Sequence, residues 1–70
     1  MKRTAVDSSM LASVGYDPTS QTLEVEFNTG RVYQYFDLPQ SEYDGLMAAD
    51  SLGSYFYHNI RDSYRYQKVR

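Results

Sequence analysis

Leu23, Val25 and Phe27 alternate with Glu24 and Glu26, and the run stops at Asn28-Thr29-Gly30 before a second stretch, residues 31–37, rich in Val, Tyr and Phe. Apolar side chains at every second position put one face of an extended strand in a core and the other in water. Two such stretches joined by a short polar loop that contains Gly form a β-hairpin. The loop length then decides the register. A two-residue loop over Thr29-Gly30 needs a left-handed backbone at β-branched Thr29, which is unfavourable, whereas a three-residue loop needs it only at Gly30. In the three-residue form Phe27 faces Arg31, Val25 faces Tyr33 and Leu23 faces Tyr35, so both tyrosines share the core face. Val32, Gln34 and Phe36 fall with Glu24 and Glu26 on the other face, leaving Val32 and Phe36 without an obvious cover.

Upstream, Met10, Ala12, Val14 and Tyr16 alternate with Leu11, Ser13 and Gly15, which predicts a first strand. Asp17-Pro18-Thr19-Ser20 ends it in a turn, because Pro18 presets φ and the Asp17 side chain can bond the backbone ahead. Residues 1–9 are polar without a period and read as a flexible lead-in. Downstream, Pro39 closes the sheet and Ser41 is positioned to cap a short helix with Tyr43, Leu46 and Met47 on one face. Gly45 weakens that helix by roughly 0.5–1 kcal/mol relative to Ala. Ser51 is positioned to cap a second helix, in which Leu52, Tyr55, Phe56, Ile60 and Tyr64 recur at spacings of three and four. The expected architecture is α+β: a three-stranded antiparallel meander followed by two C-terminal helices packed on one face of the sheet. Its expected core is Leu23, Val25, Phe27, Tyr33, Tyr35, Leu46, Tyr55, Phe56 and Ile60. The domain spans residues 10–64, and residues 65–70 form a basic tail whose helicity the pattern leaves open.

Seventy residues allow one core and no second domain. With no Cys and one His, neither a disulfide nor a thiolate metal site is open to the chain. Aromatic residues make up 16% of it and eight of them are Tyr, each a large apolar body with a hydroxyl that can reach water or a partner. Residues 1–4 lead into no apolar stretch, and no segment nears the ~20 apolar residues of a membrane span. A cytoplasmic location without a membrane partner is expected.

Catalytic apparatus is not expected either. A Ser or Thr nucleophile needs an activating base, and the one imidazole, His58, is better read as a helix surface residue. The carboxylates lie scattered through strands and turns, and the four Gly at 15, 30, 45 and 53 compose no phosphate-cradling loop. No cofactor or metal follows. Charge is more informative. Residues 1–57 carry three cations against eight carboxylates, net −5, whereas residues 58–70 carry Arg61, Arg65, Lys68 and Arg70 against Asp62, net +3. If the second helix runs to the end, Tyr57, Arg61, Arg65 and Lys68 form one stripe that can hold phosphates while Tyr57 or Tyr66 stacks on a base. The alternative for this stripe is a solvated helix face with a frayed tail.

Several short motifs occur in order: Ser8-Ser9, Gly15-Tyr16-Asp17, Leu23-x-Val25-x-Phe27, Gly30-x-Val32-Tyr33-x-Tyr35, Leu38-Pro39 and Ala49-x-Ser51-x-Gly53-x-Tyr55-Phe56, continuing to Ile60-Arg61 and Tyr64. Over most of its length the chain thereby resembles the KTSC domain, named for its occurrence at the C-terminus of some lysyl-tRNA synthetases. The resemblance implies a domain of about this length that also occurs alone, a link to RNA through that fusion, and no catalytic residues to carry over.

The leading expectation is therefore a small non-catalytic binding module for RNA, with Tyr57, His58, Arg61, Arg65, Tyr66, Lys68 and Arg70 as its nucleic-acid-binding residues. The alternative is a protein-interaction module or homodimer that uses a sheet edge or the open face bearing Val32 and Phe36.

Overall fold

The computed structural model describes residues 1–70. Five strands form one antiparallel sheet in chain order: β1 (Thr4–Ala5), β2 (Leu11–Asp17), β3 (Thr22–Phe27), β4 (Val32–Tyr35) and β5 (Tyr66–Lys68), with α1 (Gln40–Ala48) and α2 (Leu52–Asn59) between β4 and β5. The α+β class with two helices holds, but the sheet has two strands more than the meander expected from sequence. Both extra strands are short, exposed edges without apolar alternation. Backbone hydrogen bonding to the open sides of β2 and β4 makes them strands, and side-chain periodicity does not report it.

The central hairpin has the three-residue register. Leu23 pairs with Tyr35 and Val25 with Tyr33, while Gly30, at φ +92°, takes the left-handed position. The Phe27 amide donates to the Arg31 carbonyl at 2.8 Å and the Gly30 amide to the Phe27 carbonyl at 2.9 Å. The β2 pattern is less regular than its sequence. A bulge between Leu11 and Ser13 inserts Ala12, so Leu11 and Val14, three positions apart, both turn into the core, and Met10 is left exposed. The turn after β2 forms as expected, with Asp17 Oδ1 accepting from the Thr19 amide at 3.0 Å.

The core joins Leu11, Val14, Leu23, Val25 and Tyr35 of the sheet to Leu38, Leu46, Phe56 and Ile60. Phe27, Tyr33 and Tyr55, also expected there, are half-buried at its margin. Phe56 sits edge-on to Phe27 (5.5 Å) and Tyr35 (5.4 Å), and Tyr16 stacks flat on Tyr43 at 4.9 Å while its hydroxyl donates to the Leu38 carbonyl. Ser51 caps α2 by accepting from the Ser54 amide. Ser41 does not cap α1: that helix begins two residues earlier, at Gln40, with Pro39 at the N-cap and no side-chain cap bond.

Two expectations, a second helix that reaches Tyr64 and an open face without cover for Val32 and Phe36, need correction. Helix α2 stops at Asn59 and a turn carries the chain to Tyr64, whose hydroxyl bonds Glu42, after which β5 runs back along β4. The unpaired edge of β4 outbids helix continuation because it offers backbone partners to an otherwise solvated tail. The open face is also less bare than its pattern suggests. Val32 is 3% exposed beside the C-terminal chain, whose Arg70 carbonyl accepts from its amide, and the Arg65 guanidinium lies 5.2 Å from the Phe36 ring centre. At the other end of that face, Arg3 pairs with Glu24 at 3.5 Å, and Gly15 lets residues 2–3 close on the sheet: a Cβ there would stand 2.6 Å from the Lys2 carbonyl oxygen.

Candidate functional site

The core face of the sheet is wider than the cover the helices give it. Beyond α2 the residues of β4 and β5 that point to this side are Tyr33, Tyr35, Tyr66 and Lys68, because Tyr33 pairs with Lys68 and Tyr35 with Tyr66. The uncovered margin is an open cleft of about 750 Å³. Phe27, Tyr33, Tyr35 and Phe56 line its floor, Tyr66 borders it on the β5 side, and Tyr57, Arg61 and Asp62 rise from the end of α2 and the turn after it. The hairpin loop supplies Asn28, Thr29 and Arg31, and Ser9 and Met10 complete the lining.

The rings differ in what they have left to offer. Phe27 and Phe56 are engaged edge to face within the core, and Tyr35 is 3% exposed. Tyr66 lies tilted against Tyr33 (5.8 Å) and Tyr35 (5.6 Å) yet remains 56% exposed, and Tyr57 is 51% exposed. Two tyrosines thus present free ring surface, and half-buried Tyr33 lies against one of them. Burial, reinforced by neighbouring Tyr33 and Tyr66, pushes the Tyr35 phenol up to about 12, so at neutral pH it is a hydroxyl donor and not an anion.

The charge on the cleft is positive. The Arg61 guanidinium rests 5.0 Å over the Tyr57 ring, an arrangement that narrows the rotamers open to both side chains. Asp62, 4.0 Å from Arg61 Nε, offsets part of its field, and Arg31 leaves the lining with one net positive charge. Arg31 makes no ion pair.

Of the seven residues expected to bind nucleic acid, Tyr57, Arg61 and Tyr66 come together here. The other four do not. His58 is exposed on α2 against the Tyr57 edge, and Lys68 is exposed opposite Tyr33 without lining the cleft. Arg65 turns to the opposite face toward Asp37 (3.6 Å), and Arg70 reaches Glu26 (3.2 Å) and the Gly30 carbonyl. The continuous helical stripe does not form. Arg31 is the residue the sequence reading missed, although its place opposite Phe27 in the hairpin register already put it on the core face. Glu24 and Glu26 are occupied by Arg3, Arg70, Gln34 and Ser13, and no three His, Cys, Asp or Glu side chains cluster as metal ligands.

The KTSC domain family model matches residues 7–64. A protein of uncharacterised function from Stutzerimonas stutzeri is 46% identical over 70 residues, which is 99% of each chain. A lysine–tRNA ligase from Nostoc sp. is 35% identical over 63 residues, 90% of this chain but 11% of that protein. The crystal structure of a KTSC domain protein from Yersinia pestis superposes with a TM-score of 0.96 at 33% identity, covering 99% of this chain and 97% of that one.

Proposed function

The chain belongs to the KTSC domain family, and we propose that it is a small non-catalytic module that binds single-stranded RNA in the aromatic cleft between the end of α2 and strands β4 and β5. One observation carries this reading: Tyr57 and Tyr66 present exposed rings in the same concavity as the arginines Arg31 and Arg61. Rings give bases a stacking surface, and arginines give phosphates both charge and directed donors. The occurrence of a related segment in proteins named lysine–tRNA ligase supports an RNA ligand. A cytoplasmic location goes with that proposed ligand. No helix of the chain is long and apolar enough to cross a membrane.

Self-association is the weaker reading. The edge strands are two and three residues long and β5 carries Lys68, features that discourage further strand pairing. The deciding measurement is a titration with tRNA and with single-stranded RNA at two salt concentrations. Binding that weakens with salt and is lost in Arg61→Glu supports the reading, and no interaction at low salt overturns it.

A further inference from the structure

Resting on that reading, we infer that the cleft takes a single unstacked nucleotide with its two flanking phosphates, and does not track a run of strand. The cations limit how many phosphates the cleft can hold. Seven Lys and Arg are present, yet only Arg31 and Arg61 open onto the cleft. Arg3 pairs with Glu24 on the opposite face, Arg65 lies there beside Asp37 and Phe36, Arg70 reaches Glu26, and Lys2 and Lys68 do not line the cleft, although Lys68 shares its face of the sheet. A surface that follows a strand needs a row of cations at the phosphate repeat, and the fold has dispersed the row the sequence carries. What remains is one guanidinium from the hairpin loop and one from the turn after α2, enough for two phosphates.

The rings give the same count. Continuous stacking needs a succession of exposed faces, whereas here Phe27, Phe56 and Tyr35 are committed to the core and only Tyr57 and Tyr66 show half or more of their surface. The cleft, about 750 Å³ and open to solvent, lies within the size range of small-ligand sites. A base stacked on Tyr66 or on the Tyr57 face that Arg61 leaves free, with Arg31 and Arg61 for its phosphates, uses every free group of the lining. A duplex offers no such base, so the ligand is a single-stranded end, loop or bulge.

The test is competition against a labelled octanucleotide RNA with the intact chain, using a nucleoside, its 3′,5′-bisphosphate, a tetranucleotide and an unlabelled octanucleotide. The bisphosphate is the minimal ligand, and its affinity is expected within about threefold of the tetranucleotide, with the nucleoside weaker by at least about tenfold, the difference being its missing phosphate contacts. The octanucleotide gains only the statistical factor of its additional binding frames. With two phosphate contacts, log K against log salt falls with a slope of about −1.4, and Arg31→Gln or Arg61→Gln each removes about half of it. Arg65→Gln and Arg70→Gln leave the slope unchanged. Tyr57→Leu, at an exposed helix position where folding is not at risk, lowers affinity at least about fivefold. An affinity that climbs with length beyond the frame count, or a slope of about −3 or steeper, overturns the single-nucleotide site while leaving RNA binding in place. Failure of every RNA at low salt overturns both.

Discussion

Tyr55 of α2 lays the tip of its ring directly on the backbone of Gly45 in α1: a Cβ at position 45 would collide with the Tyr55 hydroxyl oxygen and stand 3.0 Å from its Cζ. The glycine that weakens α1 as an isolated helix is therefore what lets the two helices close. Intrinsic propensity favours Gly45→Ala by about 0.5–1 kcal/mol, but overpacking a fitted contact costs about 1–3 kcal/mol. The variant is expected to unfold in urea at lower concentration, with a net loss near 1 kcal/mol. Tyr55→Phe removes the colliding oxygen, so the double variant is expected to lose less than the two single losses added together. A stabilised Gly45→Ala would show that the helices are loosely apposed.

Base sensitivity follows from the phenols. Burial raises the Tyr35 phenol to about 12, and burial first, with nearby carboxylates second, also raises Tyr16 and Tyr64. A pKa higher in the folded than in the unfolded state means that the unfolded chain loses its proton first. The contribution to stability is full below pH ~10 and is lost as pH rises toward about 12. Urea midpoints should be flat from pH 7 to 9 and then fall, with Tyr35 accounting for at most ~1.4 kcal/mol per pH unit. Tyr35→Phe should flatten part of that fall and Tyr16→Phe a further part. Tyr35→Ala, which empties a core position, is expected to cost about 3–5 kcal/mol and to lower stability more than ligand affinity.

The hairpin was legible because its register depends on local rules: alternation at Leu23, Val25 and Phe27, and a left-handed position that only Gly30 fills readily. The helices were legible from their stripes, apart from the cap of α1 and the end of α2, which stops at Asn59 short of Tyr64. Strands β1 and β5 were not, because an edge strand is made by backbone bonds to a neighbour distant in sequence, and Tyr66, Gln67 and Lys68 bury nothing that would mark them. That omission displaced the site. A continued helix would align Arg61, Arg65 and Lys68, whereas an extended chain sends Arg65 and Lys68 to opposite faces of the sheet. The register also placed Tyr33 on the core face, but how far the helices extend over that face is a tertiary property, and it leaves Tyr33 half-buried at the edge of the cleft.

Truncation after Tyr64 separates the two contributions of β5. Without it the Val32 and Phe36 amides lose the carbonyls of Arg70 and Arg65, and buried Val32 and Tyr35 meet water. A loss of at least about 2 kcal/mol is expected, together with loss of RNA binding. Tyr66→Leu keeps the strand and removes only the aromatic face, so it should retain nearly all of the stability and lose binding. If the truncated chain keeps its urea midpoint, β5 is not part of the cooperative unit.

Arg61 and Arg65, four residues apart, provide the sharpest contrast between a helical stripe and the cleft. On a continuous helix the two are equivalent, and reversing either charge should weaken RNA binding alike. In the fold Arg61 lines the cleft over Tyr57, and Arg65 covers Phe36 on the far face beside Asp37. Arg61→Glu should therefore abolish measurable binding at physiological salt while leaving the unfolding free energy from urea titration within about 0.5 kcal/mol, as is usual for an exposed side chain. Arg65→Glu should leave affinity within about twofold, since long-range repulsion across the domain is screened over a Debye length of about 8 Å. It should instead lower stability by about 0.5–1 kcal/mol, because the Phe36 ring loses its cationic cover and Asp37 gains a like charge. Equal loss of binding in both variants would restore the stripe and remove the cleft as the site.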